Sequence, residues 1–164
     1  ITTIYEGTTG IQANDLIGRK LTRDSGRTMR VLIDRIAADA RRLAASKDAG
    51  LIELGADLQS GLAALDEATN WLLETSRTHQ EQCLAGAVPY LRLTGSVVGG
   101  WLSALGAEAA VRRLAAGDAD QGFLRAKVDT ARHFATHVLV QAPSLRDTVT
   151  RGARSSLSLA DDQF

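Results

Sequence analysis

The sequence predicts an all-α fold: an up-down antiparallel helical bundle preceded by a short motif-bearing helix. Three observations carry that prediction. Apolar residues recur at three- and four-residue steps through most of the chain, which is the repeat of one helix face. No run alternates with the period of two that a half-buried strand requires. Turn-forming clusters such as Gly86 to Pro89 and Gly117 to Asp120 fall between the periodic stretches rather than inside them. With 164 residues, 45% of them hydrophobic and 23% charged, the chain is long enough for one domain with its own core.

The elements follow in order. Thr9-Gly10-Ile11-Gln12 matches a capping box, and Ile11, Leu16, Ile17 and Leu21 give an apolar stripe. A short helix from about Gly10 to Leu21 is expected. Thr3-x-x-Glu6 matches the same box, but Gly7 and Gly10 favour a turn between them and the later start. Thr22 to Gly26 is a polar break. A second helix runs from about Arg27 to Ser46 with Val31, Leu32, Ile36, Ala40 and Leu43 on one face, closed by Lys47 to Gly50. Leu51, Leu54, Leu58, Leu62, Leu65, Thr69 and Leu72 mark a long core-facing helix expected to reach about Leu84. After Pro89, Tyr90 to about Ala116 is apolar nearly all round and is placed at the centre of the bundle. Phe123, Leu124, Val128, Ala131, Phe134, Ala135, Val138 and Leu139 form the last stripe, which Pro143 is expected to end. The division is then residues 1–25 as a loop and helix, 26–150 as a four-helix bundle, and 151–164 as a loosely ordered tail.

Several function classes fall away. Nineteen basic and nineteen acidic residues cancel, so there is no electrostatic case for nucleic acid or an anionic membrane. The longest uncharged run, Leu93 to Ala107, is shorter than the ~20 residues of a membrane span. One cysteine, Cys83, excludes an internal disulfide framework and fits a reducing, cytoplasmic setting. His133 and His137, like His79 and Cys83, stand four apart, but no H-E-x-x-H pattern accompanies them; they are expected on helix surfaces, with no metal. Trp71 and Trp101 are expected as core anchors, and Arg112-Arg113 as cations at a helix C-terminus.

The chemistry concentrates at the start, in Ile4-Tyr5-Glu6-Gly7-Thr8-Thr9-Gly10-Ile11-Gln12. On residue type alone, a single Glu in such a loop is a capping or solvated side chain. The stretch resembles the catalytic-base motif of the flavin-dependent acyl-CoA dehydrogenases, in which Tyr-Glu-Gly-Thr leads into a helix carrying Ile-Gln. The continuation from Ala13 to Leu21 is similar to the branch of that family with an additional C-terminal helical domain. The resemblance implies that Glu6 is the base that takes the α-proton, that Thr8 contacts FAD, that Tyr5 lines the acyl pocket, and that Gly7 keeps the loop narrow enough for substrate. It implies an acyl-CoA substrate, an electron-transfer flavoprotein as acceptor and a homo-oligomer. Two positions depart from the common pattern. Gly10 stands where many relatives have a longer polar residue, so the resemblance does not carry a second flavin contact over to it, and Ala13 stands where most smaller relatives have Arg. The opening Ile-Thr-Thr, inside a motif and without Met, predicts a C-terminal fragment whose other domains hold most flavin and CoA contacts, so that alone it is inactive. The alternative from another class is that the bundle is a non-catalytic assembly module.

Overall fold

The computed structural model describes residues 8–158 and 161–163, and among them there are helices and no strands. The helices are α1 (Thr9–Asp15), α2 (Arg27–Ala44), α3 (Ala49–Thr75), α4 (Gln80–Ala85), α5 (Ala87–Ala115), α6 (Gln121–His137), α7 (Ala142–Arg151) and α8 (Ala153–Ser156). A π-helical turn, Leu16–Leu21, extends α1, and a 3-10 turn, Leu139–Gln141, joins α6 to α7.

The two longest helices, α3 and α5, make the axis of the bundle, and α2, α6 and α7 pack around them. Direction follows from which residues meet. On α2 and α3, Arg30 pairs with Asp66 while Ala44 lies against Gly55, so one helix descends as the other rises. Thr69 meets Tyr90 and Gly61 faces Val97, which sets α5 antiparallel to α3. Gly99 faces Phe134, and α6 lies beside α5. The all-α bundle expected from periodicity is therefore the fold of the described residues.

The α3 stripe is buried as its spacing predicts, from Leu51 through Leu54, Leu58, Leu62, Leu65, Thr69 and Leu72. Thr69 is the one polar side chain wholly inside among the described residues. Its hydroxyl donates to the Leu65 carbonyl at 2.7 Å, so at 2.9 Å it accepts from the buried Tyr90 hydroxyl, and both groups are satisfied. Burial pushes the Tyr90 phenol up from its ordinary pKa.

Five local expectations are corrected. Helix α3 ends at Thr75 rather than near Leu84, because Ser76 to His79 turn away and the separate helix α4 begins at Gln80. Gly50 does not close α2; Asp48 caps α3 by accepting from Leu51 N–H at 3.0 Å, and Gly50 lies inside that helix's first turn. Val31 is 66% exposed, and Ile33 takes its place on the buried face with Ile36, Ala40 and Leu43. Five residues before Ile36, Val31 is rotated by about 140° from it on an α-helix. Leu102 is likewise exposed, so α5 is not buried all round. Pro143 does not end the fourth layer. It sits in the first turn of α7, where its missing N–H costs nothing, and the chain continues along α3 to Arg146, which pairs with Glu67.

A polar latch joins α2 to α5. The Trp101 indole N–H donates to Asp39 at 2.8 Å, the Arg35 guanidinium lies over the Trp101 ring, and Arg42 bridges Asp39 and Glu108. The Arg42 guanidinium, helped by the Trp101 N–H, holds the Asp39 carboxyl below the usual carboxylate range. A depressed folded-state pKa contributes stability above the unfolded value and loses it as pH falls through the folded one. Asp39→Asn is therefore expected to cost about 1 kcal/mol at neutral pH. Its deficit against the unsubstituted chain should shrink below about pH 4, as read from urea midpoints across pH. A deficit unchanged at low pH would mean the charge is not what matters.

Candidate functional site

Of the motif residues, Tyr5, Glu6 and Gly7 lie outside the described residues, and Thr8 is the first inside them. Thr8 is extended (φ −72°, ψ 147°), and its Oγ1 accepts from the Ile11 N–H at 3.3 Å, so it is the N-cap of α1. The cap falls one residue before the Thr9 expected from sequence, because Thr9 is already helical. Accepting that bond uses an oxygen lone pair and leaves the exposed hydroxyl its proton to donate outward. Thr8 therefore fits a group outside the chain that offers an acceptor.

What fixes Thr8 is the way α1 is seated. Ala13, Ile17 and Leu21 are buried, and α1 packs on α5. Their spacing of four residues would drift about 40° per step around an α-helix. The wider turn over Leu16–Leu21, closed by Thr22 N–H to Ile17 carbonyl at 3.1 Å, brings the three back to one face. Sequence predicts a regular helix here and misses that turn. The connection to α2 then reverses sharply through Ser25 (φ 57°) and Gly26 (φ 79°), both left-handed. A Cβ on Gly26 would also fall 2.5 Å from Leu73 Cδ1. Asp24 caps α2 by accepting from Thr28 N–H at 2.9 Å and from the Thr28 hydroxyl. That contact holds its carboxyl below the usual range.

The other sequence candidates are placed as follows. His133 and His137 stack on the exposed face of α6 with ring centroids 4.0 Å apart, and His137 Nδ1 is engaged by Thr136 and the His133 carbonyl. Cys83 is buried, its thiol directed at the Leu72 carbonyl, and burial pushes that thiol up. Among the described residues no three His, Cys, Asp or Glu side chains gather as metal ligands. Trp101 is the anchor expected, whereas Trp71 is half-buried and lines a cavity. No helix of the described residues is long and apolar enough to cross a membrane.

Comparison with known proteins bears on residues 32–160, which match the family model described as "Acetyl-CoA dehydrogenase C-terminal like". The chain is 41% identical to a 3-methylmercaptopropionyl-CoA dehydrogenase of Ruegeria pomeroyi, over 94% of this chain and 26% of that protein. It is 31% identical to a broad-specificity linear acyl-CoA dehydrogenase of Mycobacterium tuberculosis, over 91% of this chain and 25% of that protein. The chain thus spans about a quarter of the length of the curated relatives it matches.

Proposed function

The chain belongs to the acetyl-CoA dehydrogenase C-terminal-like family, and from that membership we propose that it is the C-terminal part of a flavin-dependent acyl-CoA dehydrogenase. In this reading it completes an active site that removes two hydrogens from the α,β-bond of an acyl-CoA to give the trans-2-enoyl-CoA. The observation that carries the reading is the motif Tyr5-Glu6-Gly7-Thr8, standing in the same chain as a domain of that family that begins at residue 32. Two acyl-CoA dehydrogenases aligned over nearly the whole chain support it.

The division of labour follows from the resemblance of this motif to the catalytic-base loop of the acyl-CoA dehydrogenases. Glu6 takes the α-proton onto its carboxylate, and its backbone N–H helps polarise the thioester carbonyl. A carboxylate serves as such a base where burial against substrate raises its affinity for a proton toward the working pH. Tyr5 borders the acyl chain, and Gly7 leaves room for the α-carbon. FAD, when bound, supplies the hydride acceptor for the β-carbon. Thr8, with its outward hydroxyl proton, is the residue of this chain that would hold it.

The remaining assignments are part of the same proposal. The acyl-CoA is the substrate, an electron-transfer flavoprotein takes the electrons, the working form is a cytoplasmic homo-oligomer, and 164 residues alone are inactive. The test uses the complete dehydrogenase under anaerobic conditions. Addition of a saturated acyl-CoA should bleach the oxidised flavin absorbance and yield the enoyl-CoA, while the 164-residue chain mixed with FAD and the same acyl-CoA should yield none. A complete protein that binds flavin yet gives no enoyl product from any chain length would overturn the reading.

A further inference from the structure

We propose that the open cleft lined by α3, α4, α7 and α8 is a binding site for a nucleoside diphosphate. Its volume is about 700 Å³, within the ~300–1,000 Å³ usual for small-molecule sites, and Trp71, Gln82, Thr150, Arg151, Arg154 and Leu157 are among its walls. These residues come from four separate elements, so nothing in the linear sequence brings them together.

The charge pattern selects the ligand. Nearby Glu67 and Asp147 are both engaged by Arg146, which leaves Arg151 and Arg154 facing the cavity with no carboxylate of the described residues paired to them. Two guanidinium groups one helical turn apart, on either side of Gly152, match a diphosphate, whose oxygens accept bidentate N–H donation. The half-buried Trp71 supplies an aromatic surface for a base. Gln82 offers an amide with both donor and acceptor for a base edge. The Thr150 hydroxyl donates to the Arg146 carbonyl and keeps lone pairs for a ribose hydroxyl.

The other cavities lack this combination. The groove between α2 and α3 has the carboxylate Asp66 as well as Arg41 among its walls, and the one beside the α1–α2 connection has Glu74 as well as Arg77. In the groove of α5, α6 and α7, Arg92 is the lone cation and the volume is about 330 Å³. The site shares no residue with the Glu6 loop, so its failure and that of the dehydrogenase reading are separate results.

The test titrates ADP into the nitrogen-15-labelled 164-residue chain and follows the two indole N–H signals, assigned with Trp71→Phe. The Trp71 signal should move saturably while that of Trp101, held by Asp39, stays in place. Arg151→Gln and Arg154→Gln should each weaken ADP binding about tenfold, the loss expected from one charged hydrogen-bonding partner. Both arginines are exposed and unpaired with carboxylates, so the melting temperature should hold. Adenosine and pyrophosphate alone should each bind at least tenfold more weakly than ADP. An unmoved Trp71 signal, equal movement of Trp101, or unchanged affinity in both variants would overturn the proposal. Pyrophosphate binding as tightly as ADP would overturn its nucleoside part.

Discussion

Glu6→Gln in the complete dehydrogenase is expected to abolish enoyl-CoA formation while leaving the flavin bound. The amide matches the carboxylate in size and keeps the loop's backbone N–H, but it has no lone pair basic enough to take the α-proton. Loss of a positioned base removes on the order of 10²–10⁴ in rate, and with no other carboxylate in the motif the upper end is expected. Glu6→Asp is the informative companion, because it keeps the base and withdraws it by one methylene, a displacement that costs on the order of 10². The two variants should therefore rank Glu, then Asp, then Gln in turnover at equal flavin content, measured by visible absorbance. Turnover of Glu6→Gln within tenfold of the parent would remove Glu6 from the mechanism.

The largest effect on folding is expected at Gly55. Replacing a helix-interior glycine with alanine usually stabilises by about 1 kcal/mol, because the unfolded chain loses freedom. At Gly55 the sign reverses. A Cβ there would lie 2.5 Å from the Ala44 amide nitrogen, 2.9 Å from its Cα and 3.0 Å from the Ala40 carbonyl oxygen. All three are backbone atoms of α2, so no rotamer change relieves the clash and the helices must separate. Gly55→Ala is expected to cost about 2 kcal/mol and Gly55→Val 3 kcal/mol or more, on the order of other overpacked cores. Gly95 is the control on α5, because its Cβ would meet nothing within 4 Å. Gly95→Ala should raise the urea midpoint while Gly55→Ala lowers it. Equal shifts at the two positions would mean α2 and α3 are not packed backbone to backbone.

Legibility in the sequence divided along physical lines. The α3 stripe from Leu51 to Leu72 could be read because seven side chains repeat one angular step, and a repeat needs no knowledge of its neighbours. The break after Thr75 could not, since Ser76 to His79 contain neither glycine nor proline, and the helix closes through local turns in which Thr78 N–H and His79 N–H both reach the Thr75 carbonyl. Pro143 shows the opposite error. In sequence the proline signals a stop, whereas at the first turn of a helix it is a start, and only the 3-10 turn before it distinguishes the two. Apolarity alone puts Val31 in the core, while its angle to Ile36 puts it outside, where it lies. The Asp39–Trp101 bond and the α3/α4/α7/α8 cavity join residues far apart in the chain, and composition carries no trace of such pairs. Glu6 stands out by motif and not by periodicity, and of that motif's candidate residues Thr8 alone falls within the described structure.

The π turn over Leu16–Leu21 sets the phase between whatever is joined to the N-terminal end of α1 and the bundle. It holds one residue more than an α-helix would use for the same closure. Removal of a single residue there, Gly18 for instance, would let the segment close as an ordinary α-helix. The wider turn absorbs that residue, so α1 would keep nearly the same phase against α5 after the deletion. A residue added to the turn finds no such slack and would rotate α1 by about 100° and shift it by about 1.5 Å. The seat of α1 therefore tolerates a change of length in one direction only: loss of a residue from the turn should be forgiven where gain of one is not.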